Sequence, residues 1–137
     1  MCQMLRFIGI VLAIGLVCLN PSGFTQTAPS TNVVGGTGGD PFSDVDIPTG
    51  ARVLEVHIYS GGYVDAVQMQ YALSDGRMIM GTRHGGPGGQ LSIFRVDSDE
   101  SILGISGQYG NYIDSIQIHT TKRSSPIFGG SGARQEY

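Results

Sequence analysis

Tryptophan is absent from this 137-residue chain, and its two cysteines, Cys2 and Cys18, both fall near the N-terminus. No disulfide can staple the rest of the chain, so packing alone must hold the fold. Charge is sparse as well, with 8 Lys/Arg and 11 Asp/Glu making up 14% of the residues, and the basic ones are scattered along the chain. Binding to a nucleic-acid backbone, which needs clustered cations to displace counterions, is excluded on that ground. Helical periodicity is missing too: beyond Thr27 no eleven-residue window repeats its apolar side chains every 3.6 residues. What is abundant is glycine. The 22 glycines follow no three-residue period, which excludes a collagen-like chain, and 40% hydrophobic residues exclude a disordered one. One small, all-β globular domain remains.

The longest apolar run, Phe7 to Leu19, counts 13 residues between Arg6 and the turn-rich Asn20-Pro21-Ser22-Gly23. A bilayer-crossing helix needs about 20, whereas a short apolar run behind a cation has the layout of a secretory signal peptide. Residues 1–27 are therefore read as a signal peptide cut after Thr27, residues 28–34 as a linker and residues 35–137 as one domain. The mature protein is expected to be secreted or extracytoplasmic, touching a membrane only through this segment before cleavage. An uncleaved segment acting as a membrane anchor is the alternative. Val17 before Cys18 is branched where a lipoprotein signal needs a small residue, which argues against lipidation. The mature remainder carries seven basic and eleven acidic side chains, a formal charge of −4.

Beyond Thr27 the chain repeats itself. Gly35-Gly36-Thr37-Gly38-Gly39 is followed 50 residues later by Gly85-Gly86-Pro87-Gly88-Gly89, and after a further 44 by Gly129-Gly130-Ser131-Gly132-Ala133. A second motif lies 26 and 25 residues behind the first two clusters: Gly61-Gly62-Tyr63-Val64-Asp65 and Gly110-Asn111-Tyr112-Ile113-Asp114. Each copy runs into an alternating stretch, Ala66 to Tyr71 and Ser115 to His119. Arg52 to Tyr59 alternates with Leu54, Val56 and Ile58 on one face, Leu91 to Val96 is β-rich, and Asp75-Gly76 marks a hairpin turn.

Glycine is needed where the backbone takes positive φ or a ligand touches the main chain. In Gly-x-x-x-Asp a tight bend can turn amide N–H groups toward the cavity that the carboxylate faces. Vicinal hydroxyls of a sugar both donate and accept, so they suit a carboxylate set among amides, and charge-assisted hydrogen bonds are the stronger kind. Tyr63 and Tyr112 can wall the C–H face of a ring. The competing reading makes the glycines mere corners and has Asp65 and Asp114 capping their own turns. Recurrence of the same Tyr and aliphatic residue before each Asp favours the binding reading.

These motifs, with Pro41-Phe42, Arg83-His84 before the second glycine cluster and Ile105-Ser106-Gly107, resemble the jacalin-related lectins, most closely their mannose-binding branch. The resemblance spans about residues 33–137. It implies a β-prism of three Greek-key sheets with pseudo-threefold repeats and sugar sites among the loops at one end. It also implies that Asp65, with Gly61, Val64 and the amides of Gly62 and Tyr63, pairs with the turn at Gly85 and Gly86. Asp114, with Gly110, Ile113 and the amides of Asn111 and Tyr112, would likewise pair with Gly129 and Gly130. The expected partners are mannose-type glycans, with no cofactor and no metal. After Tyr137 the family would continue through further strands to a third Gly-x-x-x-Asp. The third repeat is thus incomplete here, either because the chain is cut where Ala133 to Tyr137 begins a strand, or because a second copy supplies the open edge as a homodimer by strand exchange.

Rival chemistries fare worse. Gly35 to Phe42 fits one calcium nonapeptide, but tandem copies nine residues apart are lacking, and Asp97-Ser98-Asp99-Glu100 has too few ligands for an EF-hand. A glycosidase needs two carboxylates flanking one bond in unequal protonation states. Equivalent positions in two repeats give Asp65 and Asp114 no such inequality, so no catalytic residue is assigned. His57 and His119 are expected at the surface or an edge, while Arg83 and His84 are expected at or just behind the rim of a glycine loop. The alternative function is a scaffold or assembly module with vestigial sugar sites, oligomerising through its open edge.

Overall fold

A computed structural model describes residues 2–8, 12–17, 41–42, 44, 46–130 and 135–136, and among these every regular element is a strand. The linker, the proposed cleavage site at Thr27, the cluster Gly35–Gly39 and Ser131–Ala133 lie outside them. In chain order the strands are β1 Cys2–Ile8, β2 Leu12–Val17, β3 Pro41–Phe42, β4 Arg52–Ser60, β5 Val64–Ala72, β6 Met78–Met80, β7 His84–Gly85, β8 Gln90–Arg95, β9 Ile102–Tyr109, β10 Ile113–Thr120, β11 Phe128–Gly129 and β12 Gln135–Glu136.

They form three antiparallel sheets, as a β-prism requires. In one, β5 lies between β4 and the short strands β6 and β7, and β8 folds back beside β4; in the next, the order β11-β10-β9-β12 repeats that path. A fourth strand returning beside the first is the Greek key. Gln135 and Glu136 pair with Tyr109 and Gln108, so the C-terminal stretch closes the second sheet as β8 closes the first, rather than opening a third. The third sheet has the order β2-β1-β3. Here the segment read as a leader forms a hairpin, with Phe7 and Ile8 paired to Phe42 and Pro41. A cut after Thr27, as the leader reading expects, would remove β1 and β2 together.

The core sits between the first two sheets, where Val56, Ile58, Val67 and Phe94 face Ile116 and Ile118, all 4% exposed or less. Alternation predicts most of this, with one correction on β4. A bulge between Val53 and Glu55 shifts its register against β5. Leu54 takes the extra position and is only half-buried, while Val53 joins the core. His57 is corrected too: β4 is an interior strand, and the residue is 8% exposed with its ring held 2.8 Å from Glu55. His119 is half-buried between Ser106 and Ser124. The Asp75-Gly76 turn forms where expected, with Gly76 at φ 86 joining β5 to β6.

At the end of the prism remote from the Gly-x-x-x-Asp turns, Glu100 ties the β8–β9 corner to β10. Its side chain is 0% exposed and accepts from Arg123 Nε at 3.1 Å, the Thr120 hydroxyl at 2.5 Å and the Asp97 amide at 3.0 Å. Those donors, Arg123 first, hold its pKa down to about 2 from the ordinary 4.5. A depressed carboxylate stabilises the fold above its unfolded pKa and ceases to as the pH falls through the folded one. The stability that Glu100→Gln forfeits in urea titrations is thus expected to be full above pH 4.5 and to vanish as the pH falls toward 2. A deficit independent of pH across that window refutes the linkage.

Candidate functional site

Both Gly-x-x-x-Asp motifs are hairpin tips, and their hydrogen bonds match. In the β4–β5 tip the Gly61 amide donates to the Tyr63 carbonyl at 2.9 Å, and in the β9–β10 tip Gly110 donates to Tyr112 at 2.9 Å. The amides of Gly62 and Tyr63 are left without a protein partner among the described residues. Each Asp carbonyl accepts from a glycine turn: Gly86 to Asp65 at 2.8 Å and Gly130 to Asp114 at 2.8 Å. Behind the tips, Gln68 Nε2 donates to the Gly81 carbonyl at 2.8 Å and Gln117 Nε2 to that of Ser125 at 2.8 Å.

Glycine is obligatory at the turns. Gly85 and Gly129 have φ of 125 and 105, and a Cβ on either would lie 2.2 Å from the carbonyl oxygen of Asp65 or Asp114. The same bonds redraw the expected site. The Gly86 and Gly130 amides are spent on backbone carbonyls, so they are not donors for a ligand. What borders the Asp65 carboxylate is the second glycine pair. A Cβ on Gly88 would stand 2.8 Å from Oδ1 and one on Gly89 2.9 Å from Oδ2. Their lack of side chains keeps the carboxylate open. The symmetric Gly-Gly-x-Gly-Gly spelling was the signal available for them.

The two carboxylates differ. Asp65 is exposed and no described residue bonds its oxygens. Asp114 is 4% exposed and close to Gly110, where a Cβ would lie 3.7 Å from Oδ2. The equivalence that the repeat suggests therefore holds for the backbone and not for access. Nor are the tips separate. Tyr63 and Tyr112, each about half exposed, meet with ring centroids 5.4 Å apart at 56°. A Cβ on Gly130 would lie 2.2 Å from the Gly62 carbonyl oxygen.

Two further contacts brace the open tip; sequence reasoning placed Arg83 and His84 beside the glycine loop but named neither partner. The Arg83 guanidinium lies 3.6 Å over the Tyr59 ring and donates to the carbonyls of Gly86 and Gly88, both at 2.8 Å. His84, whose side chain is 9% exposed, lies 2.6 Å from Asp44, which also accepts from the Tyr71 hydroxyl at 2.7 Å. Asp44 stands 40 residues from His84, and no local pattern announces that pairing. Among the described residues no three His, Cys, Asp or Glu side chains gather as metal ligands.

A family model of the jacalin-like lectin domain matches residues 31–137. Among solved structures, a Malaysian banana lectin variant superposes with a TM-score of 0.65 at 23% identity, over 78% of this chain and 75% of that one. AcmJRL from Ananas comosus, a mannose-binding jacalin-related lectin, gives 0.50 at 24% identity over 63% of this chain. The chain spans 64% of AcmJRL's length. A lamprey immune protein gives 0.59 at 25% identity, over 76% of this chain and 34% of that one. A family match over more than three quarters of the sequence, on an all-β prism of the same architecture, shows that this chain belongs to the jacalin-like lectin domain family.

Proposed function

We propose that the protein is a secreted, non-enzymatic lectin that binds a mannose-type hexose at the Asp65 tip, without a metal or cofactor. The observation that carries this reading is an exposed carboxylate that no described residue bonds, bordered by the side-chain-free Gly88 and Gly89, in a tip whose Gly62 and Tyr63 amides have no partner among the described residues. A carboxylate accepting from two hydroxyls while the Gly62 and Tyr63 amides donate to ring oxygens matches one edge of a hexose. The Tyr63 ring, 51% exposed, offers its face to the C–H groups. The Asp114 tip is the second site, weaker because its carboxylate must be uncovered first.

Few hydrogen bonds to one exposed sugar give about millimolar affinity, near −4 kcal/mol, so avidity comes from several sites on one branched glycan. The test is retention on immobilised mannose, with galactose and chelator controls. Wild type and Asp114→Ala are expected to be held on mannose, the variant less so, with chelator without effect. Elution of wild type in the void volume, with glycan arrays blank, favours the scaffold reading, to which the buried Asp114 lends some weight. A homodimer through an open sheet edge belongs to that second reading, and sugar-independent oligomers in sedimentation would support it.

A further inference from the structure

We propose that Arg83 is a positioning residue that holds the glycine turn 85–89 open around the Asp65 carboxylate, making this tip the pre-organised one of the two. The inference rests on the sugar-binding reading of Asp65 and names what shapes that site. Five consecutive residues, four of them glycine, have little intrinsic preference for one conformation and lose much entropy when fixed. One guanidinium counters this by gripping two of their carbonyls, Gly86 and Gly88, each at 2.8 Å, with both bonds made by the same terminal nitrogen. The grip is anchored on the sheet. The Arg83 plane stacks 3.6 Å over Tyr59 of β4, Tyr59 OH donates to Gln68 of β5 at 3.3 Å, and Gln68 Nε2 donates to the Gly81 carbonyl.

Arg83 Nε is enclosed without a hydrogen-bond partner. Burying an unpaired donor is costly, so the side chain is held by the ring and the two carbonyls rather than by that atom's own satisfaction. Among the described residues the other repeat shows no such clamp. At the spacings that relate the two tips, Tyr59 corresponds to Gln108 and Arg83 to Ile127, which is 66% exposed. Among the described residues the clamp therefore accompanies the exposed Asp65 and has no counterpart beside the buried Asp114.

Arg83→Met keeps an apolar side chain beside Tyr59 while removing the guanidinium and both donated bonds; Arg83→Lys keeps the charge without the flat guanidinium. Amide exchange and methyl mannoside titrations followed by NMR on the isotope-labelled protein read the turn and the sugar separately. For Arg83→Met, exchange at Gly86, Gly88 and Gly89 is expected to rise while β4 and β5 stay protected, and affinity at the Asp65 tip to fall about tenfold. The Asp114 tip should keep its affinity, and Arg83→Lys should fall between. Unchanged exchange in the turn overturns the proposal, as does a loss of protection spread over the whole sheet. Faster exchange in the turn with unaltered sugar affinity also overturns it. If wild type binds no mannoside while Arg83→Met still loosens the turn, the clamp stands and the sugar reading fails.

Discussion

Asp65→Ala is expected to remove most of the retention on mannose, leaving only the weaker hold of the Asp114 tip, while the fold stays intact. Two charge-assisted hydrogen bonds, each worth about 1.5–3 kcal/mol, are lost together, so affinity at this tip should fall by at least about two orders of magnitude from a millimolar start. The cost to stability should be within about 0.5 kcal/mol, because the carboxylate is exposed and holds no described residue in place. Asp65→Asn retains one acceptor and should lose less. The pairing of outcomes is what makes the test sharp. A variant that melts normally and no longer binds mannose through this tip assigns the carboxylate to the ligand; one that melts normally and still binds through this tip removes it from the site.

Gly85→Ala should do the reverse, damaging the fold first and the sugar site as a result. At φ 125 a side chain is strained, and the added carbon would sit 2.2 Å from the Asp65 carbonyl oxygen and 2.7 Å from the Ala66 Cα, both backbone atoms that cannot rotate away. Strain of about 1–3 kcal/mol and overpacking of about 1–3 kcal/mol combine. In a domain of about 100 residues the Tm should fall by more than about 10 °C. Gly76→Ala is the control, because φ there is 86 with nothing within 4 Å of the new carbon. It incurs only the strain, about 1 kcal/mol. Equal losses in the two variants would show that the close approach at Gly85 contributes nothing.

Much of this architecture could be read from side-chain alternation, because strands in a two-sheet core must put every second residue inside. β4, β5 and β10 announce themselves in that way, and β8 by its β-rich composition. The rule failed where its premise did: the bulge at Leu54 adds one residue to β4, so the inward set changes from Leu54 to Val53. The hairpin tips were legible because a tight turn leaves a local residue signature. Access was not. Asp65 and Asp114 sit in the same five-residue spelling, yet one is exposed and the other 4% exposed, a difference set by neighbours that pattern matching does not see. Arg83 failed for a related reason. A cation beside a flexible turn reads as a rim charge until the ring beneath it, 24 positions earlier in the chain, is known to lie there. The pairing of Asp44 with His84 and Tyr71 likewise depends on tertiary folding alone.

The approach of Gly130 to the Gly62 carbonyl has a bearing on how the two halves can diverge. A duplicated unit that stops serving its original purpose ordinarily drifts, and its special residues are the first to go. Here the second half's bend is also the wall against which the first half's tip rests. Any replacement at position 130 must push the Gly62 peptide aside, and with it the amides that the first tip presents. Disuse of the second pocket therefore does not release its glycine, which remains answerable to the neighbouring pocket.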